Sequence, residues 1–139
     1  MPAKPTFHAA AQPDECQIDK ILARIFEPVE GEIVERAFKA RGTIAEARGC
    51  YVWLAVRWGG LYWPKEPVID TRSAQWEMMV FEGGEPPSGR FSLTLIAVTR
   101  EANGRFGRWF TDGKRSGYYP GMPLPVGSRI LDQKSLRLR

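Results

Sequence analysis

The sequence is poor in the residues on which most catalytic and metal chemistry depends. It contains one histidine, His8, and two cysteines among 139 residues. A Ser-His-Asp or Cys-His mechanism needs a histidine beside the nucleophile, and zinc and copper sites need clusters of His and Cys. Neither GxGxxG nor GxxxxGK[ST] occurs, so the sequence lacks a nucleotide-binding motif. These absences predict a non-enzymatic protein with no catalytic residues, no cofactor and no metal site.

Long apolar runs are also missing. No segment approaches the roughly 20 apolar residues needed to cross a bilayer, and the N-terminus lacks the apolar stretch of a signal peptide. Cys16 and Cys50 are too few for a disulfide framework, so we expect two unpaired thiols in a reducing compartment. The sequence therefore predicts a cytoplasmic protein that does not contact a membrane.

Aromatic residues, by contrast, are abundant. Five Trp and seven Phe suit strands better than helices, and 139 residues are enough for one domain with a real core. The net charge is +4, and arginine outnumbers lysine. Because no Lys/Arg cluster is dense enough to follow a phosphate backbone, a solvated basic surface is favoured over nucleic-acid binding.

Residues 51–64, YVWLAVRWGGLYWP, predict the central hairpin of a layered β protein. Side chains alternate along a strand, so Val52 and Val56 share one face and Trp53 the other. Both faces are apolar, which is typical of a strand covered on both sides. Gly59 and Gly60 supply the turn, because both central residues of the favoured turn need positive φ.

Turn signals divide the rest of the chain into short strands. The alternating segments that predict strands are 32–43, 74–81, 91–98 and 128–139. Gly42 is expected to mark a bulge or a close backbone approach, and 91–98 is expected to pair with 74–81 across the Gly/Pro turn. Residues 101–113 predict a short helix, since Phe106, Trp109 and Phe110 have helical spacing and Gly113 could end it.

The N-terminal region predicts a tail followed by a helical arm. Residues 1–13 have no periodicity. Ile18, Ile21, Leu22 and Ile25 fall at i, i+3, i+4 and i+7, which predicts a short amphipathic helix after Asp14. The sequence leaves open whether this arm packs on its own domain or on a partner. The predicted organisation is therefore a tail and arm over 1–24 and one β domain over 25–139.

The order of these signals resembles an immunoglobulin-like β-sandwich module of bacterial proteins. The resemblance covers about four fifths of the chain, and its parts are VWLAV (52–56), YWP (62–64), FSLTLIAV (91–98), GYYPGMPLP (117–125) and ILD (130–132). It implies an all-β, Ig-like antiparallel sandwich of about seven strands with one helix before the last strand. Modules of this kind are usually interaction or spacer domains appended to something larger, and they bring no catalytic residues. Because this chain is the module with a short arm, we expect a subunit or adaptor.

The aromatic residues supply the candidate binding surface. Trp53 and Trp76 are expected in the core, whereas exposure is expected for Trp58, Tyr62, Tyr118 and Tyr119. Together with Arg57 they form a composition that is enriched at protein interfaces. The predicted partner-binding residues, including the arm, are Arg57, Trp58, Tyr62, Tyr118, Tyr119, Ile18, Ile21 and Leu22.

Other functions use the same residues differently. A platform of exposed rings from Trp53, Trp58, Trp63 and Trp76, with the Tyr rings, would stack on sugars, which makes a carbohydrate-binding module the main alternative. A weak nucleic-acid binder is the second alternative, and an exposed strand edge could pair two copies into a homodimer. Glu77, Glu82 and Glu85 stand close together in sequence, but glutamates beside a Gly/Pro turn are normally solvated rather than catalytic.

Overall fold

The computed structural model describes residues 15–139, which form two β-sheets and one α-helix. A three-stranded sheet has the order β1-β3-β6, and a five-stranded sheet has the order β2-β8-β7-β4-β5. The strands are β1 Leu22–Glu27, β2 Ile33–Val34, β3 Ala37–Ala45, β4 Tyr51–Trp58, β5 Leu61–Lys65, β6 Gln75–Phe81, β7 Arg90–Val98 and β8 Ser128–Leu138. The fold is therefore mostly β and sandwich-like, as the sequence predicts.

Strand β4 is covered on both faces, which confirms the prediction drawn from its alternation. Val52, Leu54 and Val56 belong to the core between the two sheets. Trp53 and Ala55 belong to a second apolar cluster, on the opposite face of the five-stranded sheet. A strand that is apolar on both faces, such as β4, therefore belongs to the middle one of three layers.

The third layer is the helix α1, Arg100–Ser116. Its N-cap is Thr99, whose side chain accepts a hydrogen bond from the Ala102 N–H at 3.4 Å, and it ends at Gly117 in the left-handed conformation (φ 77°). Phe106 and Phe110 pack on Trp53, with ring centroids 5.5 Å apart in both pairs. The helix is confirmed, although it extends one turn beyond the predicted end at Gly113.

The N-terminal arm is not an amphipathic helix. Ile18–Lys20 form one 3-10 turn, and the chain then enters β1. Ile21 and Ile25 are 2% exposed in the core, and a guanidinium N–H of Arg129 donates to the Ile18 carbonyl at 2.8 Å. The arm therefore packs on its own domain, and the predicted boundary at residue 25 falls inside β1. The predicted tail over 1–13 lies outside the described residues.

Cys16 and Cys50 form a disulfide, so the expectation of two free thiols is wrong. The bond ties the segment before β1 to the residue that precedes β4. Spacing alone could not reveal it, because the two cysteines meet only after β1, β3 and β4 are placed.

The predicted pairing of β6 with β7 is also wrong. β6 pairs with β3 in the small sheet, whereas β7 lies between β4 and β8 in the large one. The turn between them therefore crosses from one sheet to the other. Gly42, in contrast, behaves as predicted: a Cβ at this position would lie 1.8 Å from the Arg24 carbonyl oxygen, beside a bulge in β1.

Within residues 15–139, no helix combines the length and the apolar character that a membrane crossing requires.

Candidate functional site

The connector between α1 and β8 closes the edge of the five-stranded sheet. Tyr62 and Met122 exchange two backbone hydrogen bonds, of 2.8 and 3.0 Å, so the outer edge of β5 is paired there. The indole N–H of Trp63 donates to the Tyr119 carbonyl at 3.0 Å, and that of Trp109 donates to the Pro120 carbonyl at 2.7 Å. The connector thus holds rings from a strand and from a helix side by side.

These rings line a cleft of about 460 Å³, which we call the aromatic cleft. Its aromatic wall contains Trp58, Trp63, Trp109, Phe110 and Tyr119. Trp58 and Trp63 are stacked, with centroids 4.5 Å apart and planes 16° apart, and Trp109 lies 5.2 Å from Tyr119. A volume of this size is within the range of roughly 300–1,000 Å³ that is usual for ligand pockets.

A glycine in α1 allows the aromatic wall to close. A Cβ at Gly113 would lie 2.1 Å from Cε1 of Tyr119, so the ring occupies the space that any other residue would fill. Gly113 is therefore required for packing of the connector rather than for ending the helix. The same applies to Gly121, where a Cβ would lie 2.7 Å from atoms of Leu61 and Trp63.

The lining of the cleft also contains a buried carboxylate, Glu82. It is 4% exposed, and its Oε1 accepts a hydrogen bond from the Gly84 N–H at 3.3 Å and lies 3.5 Å from the Lys65 Nζ. Its Oε2 has no hydrogen-bond partner, and neither has the indole N–H of Trp58, which is also buried. Because unpaired buried polar atoms are costly, Glu82 Oε2 and Trp58 Nε1 leave one acceptor and one donor unsatisfied among the residues that line the cleft.

Arg36 fixes the position of this part of the lining. Its guanidinium donates to the carbonyl oxygens of Glu82 and Gly84 at 2.9 and 2.8 Å, and to Oε1 of Glu85 at 2.7 Å. The backbone N–H of Glu82 in turn donates to the Arg36 carbonyl at 2.8 Å. Because the charged guanidinium donates to three acceptors, it holds the turn after β6 in one position. The turn is therefore a preorganised part of the site.

A second depression lies at the end of the sandwich and has a volume of about 640 Å³. Three arginines from three strands line it, together with Ser92, Ser135 and Trp58. We call it the arginine basin and define it by Arg57, Arg90 and Arg137. Trp58 lines both depressions, so the aromatic cleft and the arginine basin adjoin at the end of β4.

The structure divides the predicted site residues among these features. Arg57 and Trp58 line the basin, and Trp58 and Tyr119 line the cleft. Tyr118 is 70% exposed but lines neither depression. Exposure of Tyr62 was predicted wrongly: it is 6% exposed, because α1 and Met122 cover it and Arg57 lies over its ring at 5.3 Å.

The arm residues do not extend this site as predicted. Ile21 is buried in the core and cannot contact a partner, and Ile18 is partly buried against the same core. Leu22 alone of the three is open to solvent, at 68% exposure. Ile21 precedes β1 but is already extended, so it and Leu22 face opposite sides, as neighbouring residues in a strand do.

Sequence reasoning missed Trp63, Trp109 and Glu82 as members of one site. Trp63 was grouped with the other Trp rings, but Trp109 was read only as part of a helical stripe. Glu82 was expected to be solvated and is in fact buried. The available signal was the indole rings flanking a connector rich in Gly and Pro, which is typical of a loop held against aromatic side chains.

Comparison with known proteins gives no relative for this chain: no family model, no curated protein and no solved structure matches it.

Proposed function

We propose that this protein is a non-enzymatic interaction module, a subunit or adaptor of a larger bacterial assembly, that binds a partner polypeptide in the aromatic cleft. The observation that supports this most directly is the combination of five aromatic residues with an unpaired donor and an unpaired acceptor in one preorganised cleft. A peptide group has one N–H and one C=O, which match Glu82 Oε2 and Trp58 Nε1. Side chains of the same segment would pack on the rings, as anchors do in interface pockets.

The strand order supports an immunoglobulin-like assignment within this proposal. Read as A, B and E, strands β1, β3 and β6 match three of the four strands in one sheet of that fold, and β8-β7-β4-β5 match G, F, C and C′ of the other. Strand D has no counterpart, and β2 is an additional strand beside β8. Two further features depart from the pattern. The disulfide does not join the two sheets through B and F, and α1 is inserted between F and G.

The test is partner capture followed by measured affinity. Captured protein is purified, and its Kd is determined for the wild type, Tyr119→Ala and Tyr118→Ala. Tyr119 lines the cleft, whereas its neighbour Tyr118 is more exposed and does not, so the two variants are matched in chemistry and position. We expect Tyr119→Ala to weaken binding by roughly tenfold or more and Tyr118→Ala to have little effect. Equal effects of the two variants would contradict binding in the cleft.

Glu82→Gln separates the polar contribution from the aromatic one. The substitution keeps the shape of the side chain and its hydrogen bonds through Oε1, but it replaces the unpaired Oε2 with an amide group. If Oε2 accepts a hydrogen bond from the partner, the variant binds more weakly under conditions in which both proteins are fully folded, and unfolding curves measured in parallel account for the lost ion pair with Lys65. Unchanged affinity would show that Glu82 is not in contact with the partner.

Carbohydrate binding is the second candidate function, and the same two unpaired atoms favour it. Sugar hydroxyls both accept and donate, which suits the unpaired Trp58 Nε1 and Glu82 Oε2, and the ring of a sugar stacks on an indole. Titration with a panel of oligosaccharides should then change tryptophan emission, and Trp58→Phe, which keeps an aromatic ring but lacks the N–H, should weaken the response. Absence of any response across the panel would remove this candidate.

Location and oligomeric state belong to the proposal as well. The cytoplasmic location and the homodimer through a strand edge stay predictions. The Cys16–Cys50 disulfide favours an oxidising compartment over the cytoplasm, because structural disulfides are rare where glutathione keeps thiols reduced. Thiol titration of the protein from its native cell distinguishes the two compartments.

A further inference from the structure

The arginine basin brings together cations that are far apart in the sequence. Arg57 is on β4, Arg90 on β7 and Arg137 on β8. Arg57 is directly opposite Ser92, Ser92 is opposite Ser135, and Arg90 is opposite Arg137. Because side chains alternate along each strand, all five residues lie on one face of the five-stranded sheet.

The three cations are close together and lack counterions. Neighbouring strands lie about 4.8 Å apart, and every second residue along a strand lies about 7 Å further on, so the three Cα atoms fall within roughly 12 Å. Within residues 15–139, none of the three side chains forms an ion pair or a hydrogen bond with a carboxylate. The flanking Glu30 instead accepts the backbone N–H of Ser135 at 2.9 Å.

The pairing of Arg90 with Arg137 is unfavourable by itself. Like charges directly opposite on adjacent strands destabilise a sheet, and guanidinium groups supply donors but no acceptors. A bound oxyanion would reverse this repulsion, since one carboxylate can accept two parallel N–H bonds from an arginine. The hydroxyls of Ser92 and Ser135, in the row beside the arginines, can donate to the same group.

We infer that the arginine basin binds an acidic segment, rich in Asp and Glu, of the partner polypeptide. This inference rests on the proposed function, because it assigns a charge to the same partner. Charge complementarity supports it, and the basin adjoins the aromatic cleft at Trp58, so one segment can reach both. Nucleic acid is the less favoured occupant, because tight binding to a phosphate backbone usually takes about 6–10 contacts and the basin has three cations.

The test uses a synthetic peptide of alternating Glu and Ser as the probe, with a Lys/Ser peptide as its control. Arg90→Gln/Arg137→Gln is compared with Arg105→Gln/Arg108→Gln, which removes the same charge from exposed positions on α1 outside both depressions. We expect the first double variant to weaken binding of the acidic peptide by roughly tenfold or more and the second by less than about twofold. Losses of equal size would mean that net charge, not the basin, attracts the peptide, and would overturn the inference.

A single-stranded oligonucleotide forms the second arm of the experiment. If it binds more tightly than the acidic peptide, and if Arg90→Gln/Arg137→Gln abolishes that binding, the occupant is nucleic acid and the inference is wrong. Failure of the proposed function is distinguishable, because Tyr119→Ala tests the cleft without altering the basin. Acidic peptide that binds the wild type and Tyr119→Ala equally, but not the basin variant, supports the basin irrespective of the cleft.

Discussion

Removing the Cys16–Cys50 disulfide should cost this domain a large part of its stability. The bonded residues are 34 apart in the sequence. In the chain-entropy description, releasing a loop of that length gives the unfolded state about 4 kcal/mol of additional entropic stabilisation. Domains of this size are stable by about 5–15 kcal/mol, so the double variant Cys16→Ala/Cys50→Ala should unfold at a midpoint temperature lower by roughly 15 °C.

Urea unfolding followed by tryptophan fluorescence provides the assay. Three samples separate the crosslink from packing: oxidised wild type, wild type in dithiothreitol, and the double alanine variant. Cys50 is 5% exposed, so its replacement also removes a buried sulfur, whereas the reduced wild type keeps both sulfur atoms. We expect both uncrosslinked samples to lose about 4 kcal/mol, with a small further loss in the variant. Reductant should not affect the variant.

Two results would refute this reasoning. In the first, reduced and oxidised wild type unfold at the same urea concentration, so the crosslink does not constrain the unfolded chain. In the second, untreated protein that has been denatured titrates with two free thiols, so the bond does not form. Residue 50 precedes β4, whereas Trp58 ends it, so reduction below the unfolding midpoint should leave ligand binding in the aromatic cleft unchanged.

Three glycine substitutions test the packing. Gly42→Ala should destabilise the protein by more than about 2 kcal/mol in urea, because its Cβ would lie 1.8 Å from the Arg24 carbonyl; a neutral result would contradict the close approach. Gly107→Ala should stabilise it by about 0.5–1 kcal/mol, since nothing lies within 4 Å and alanine is the better helix former, whereas a loss would indicate an unseen contact. Gly113→Ala should displace Tyr119 and abolish cleft binding, with NMR shifts concentrated in the connector; unchanged connector shifts would show that the helix accommodates the methyl group.

The sequence predicts structure best where a pattern of apolar residues is compatible with a single arrangement. Apolar residues on both faces of residues 51–58 require two covering layers, and the structure provides both. The prediction of a helix in the N-terminal arm was wrong for a physical reason. Ile21 and Ile25 are four apart, and residues four apart share a face in a helix and in a strand alike, so the pattern could not distinguish the periods 3.6 and 2.

Pairing partners and site geometry needed information that local patterns do not contain. The turn after β6 has the Gly and Pro residues of a hairpin turn. It is held, however, by hydrogen bonds from Arg36, which is more than 45 residues away in sequence, and the next strand enters the other sheet. Burial of Tyr62 depends in the same way on α1 and Met122, which arrive from later in the chain. The residue types of the candidate site, Trp, Tyr and Arg, could therefore be predicted from the sequence. Which residues of those types lie together could not.

The inserted helix explains why the two depressions lie next to each other. Along the outer face of the five-stranded sheet, β4 and β7 place Trp53 and Ile96 beneath α1, and the same face then turns polar at Arg57 and Ser92. Cations cannot lie unpaired beneath a packed helix, so the basin begins where the helix ends, and no residue of α1 lines it. Trp109 of α1 lines the aromatic cleft. One insertion between β7 and β8 thus supplies part of the cleft and sets the limit of the basin, so the two proposals, a partner bound in the cleft and an acidic segment bound in the basin, concern one continuous surface.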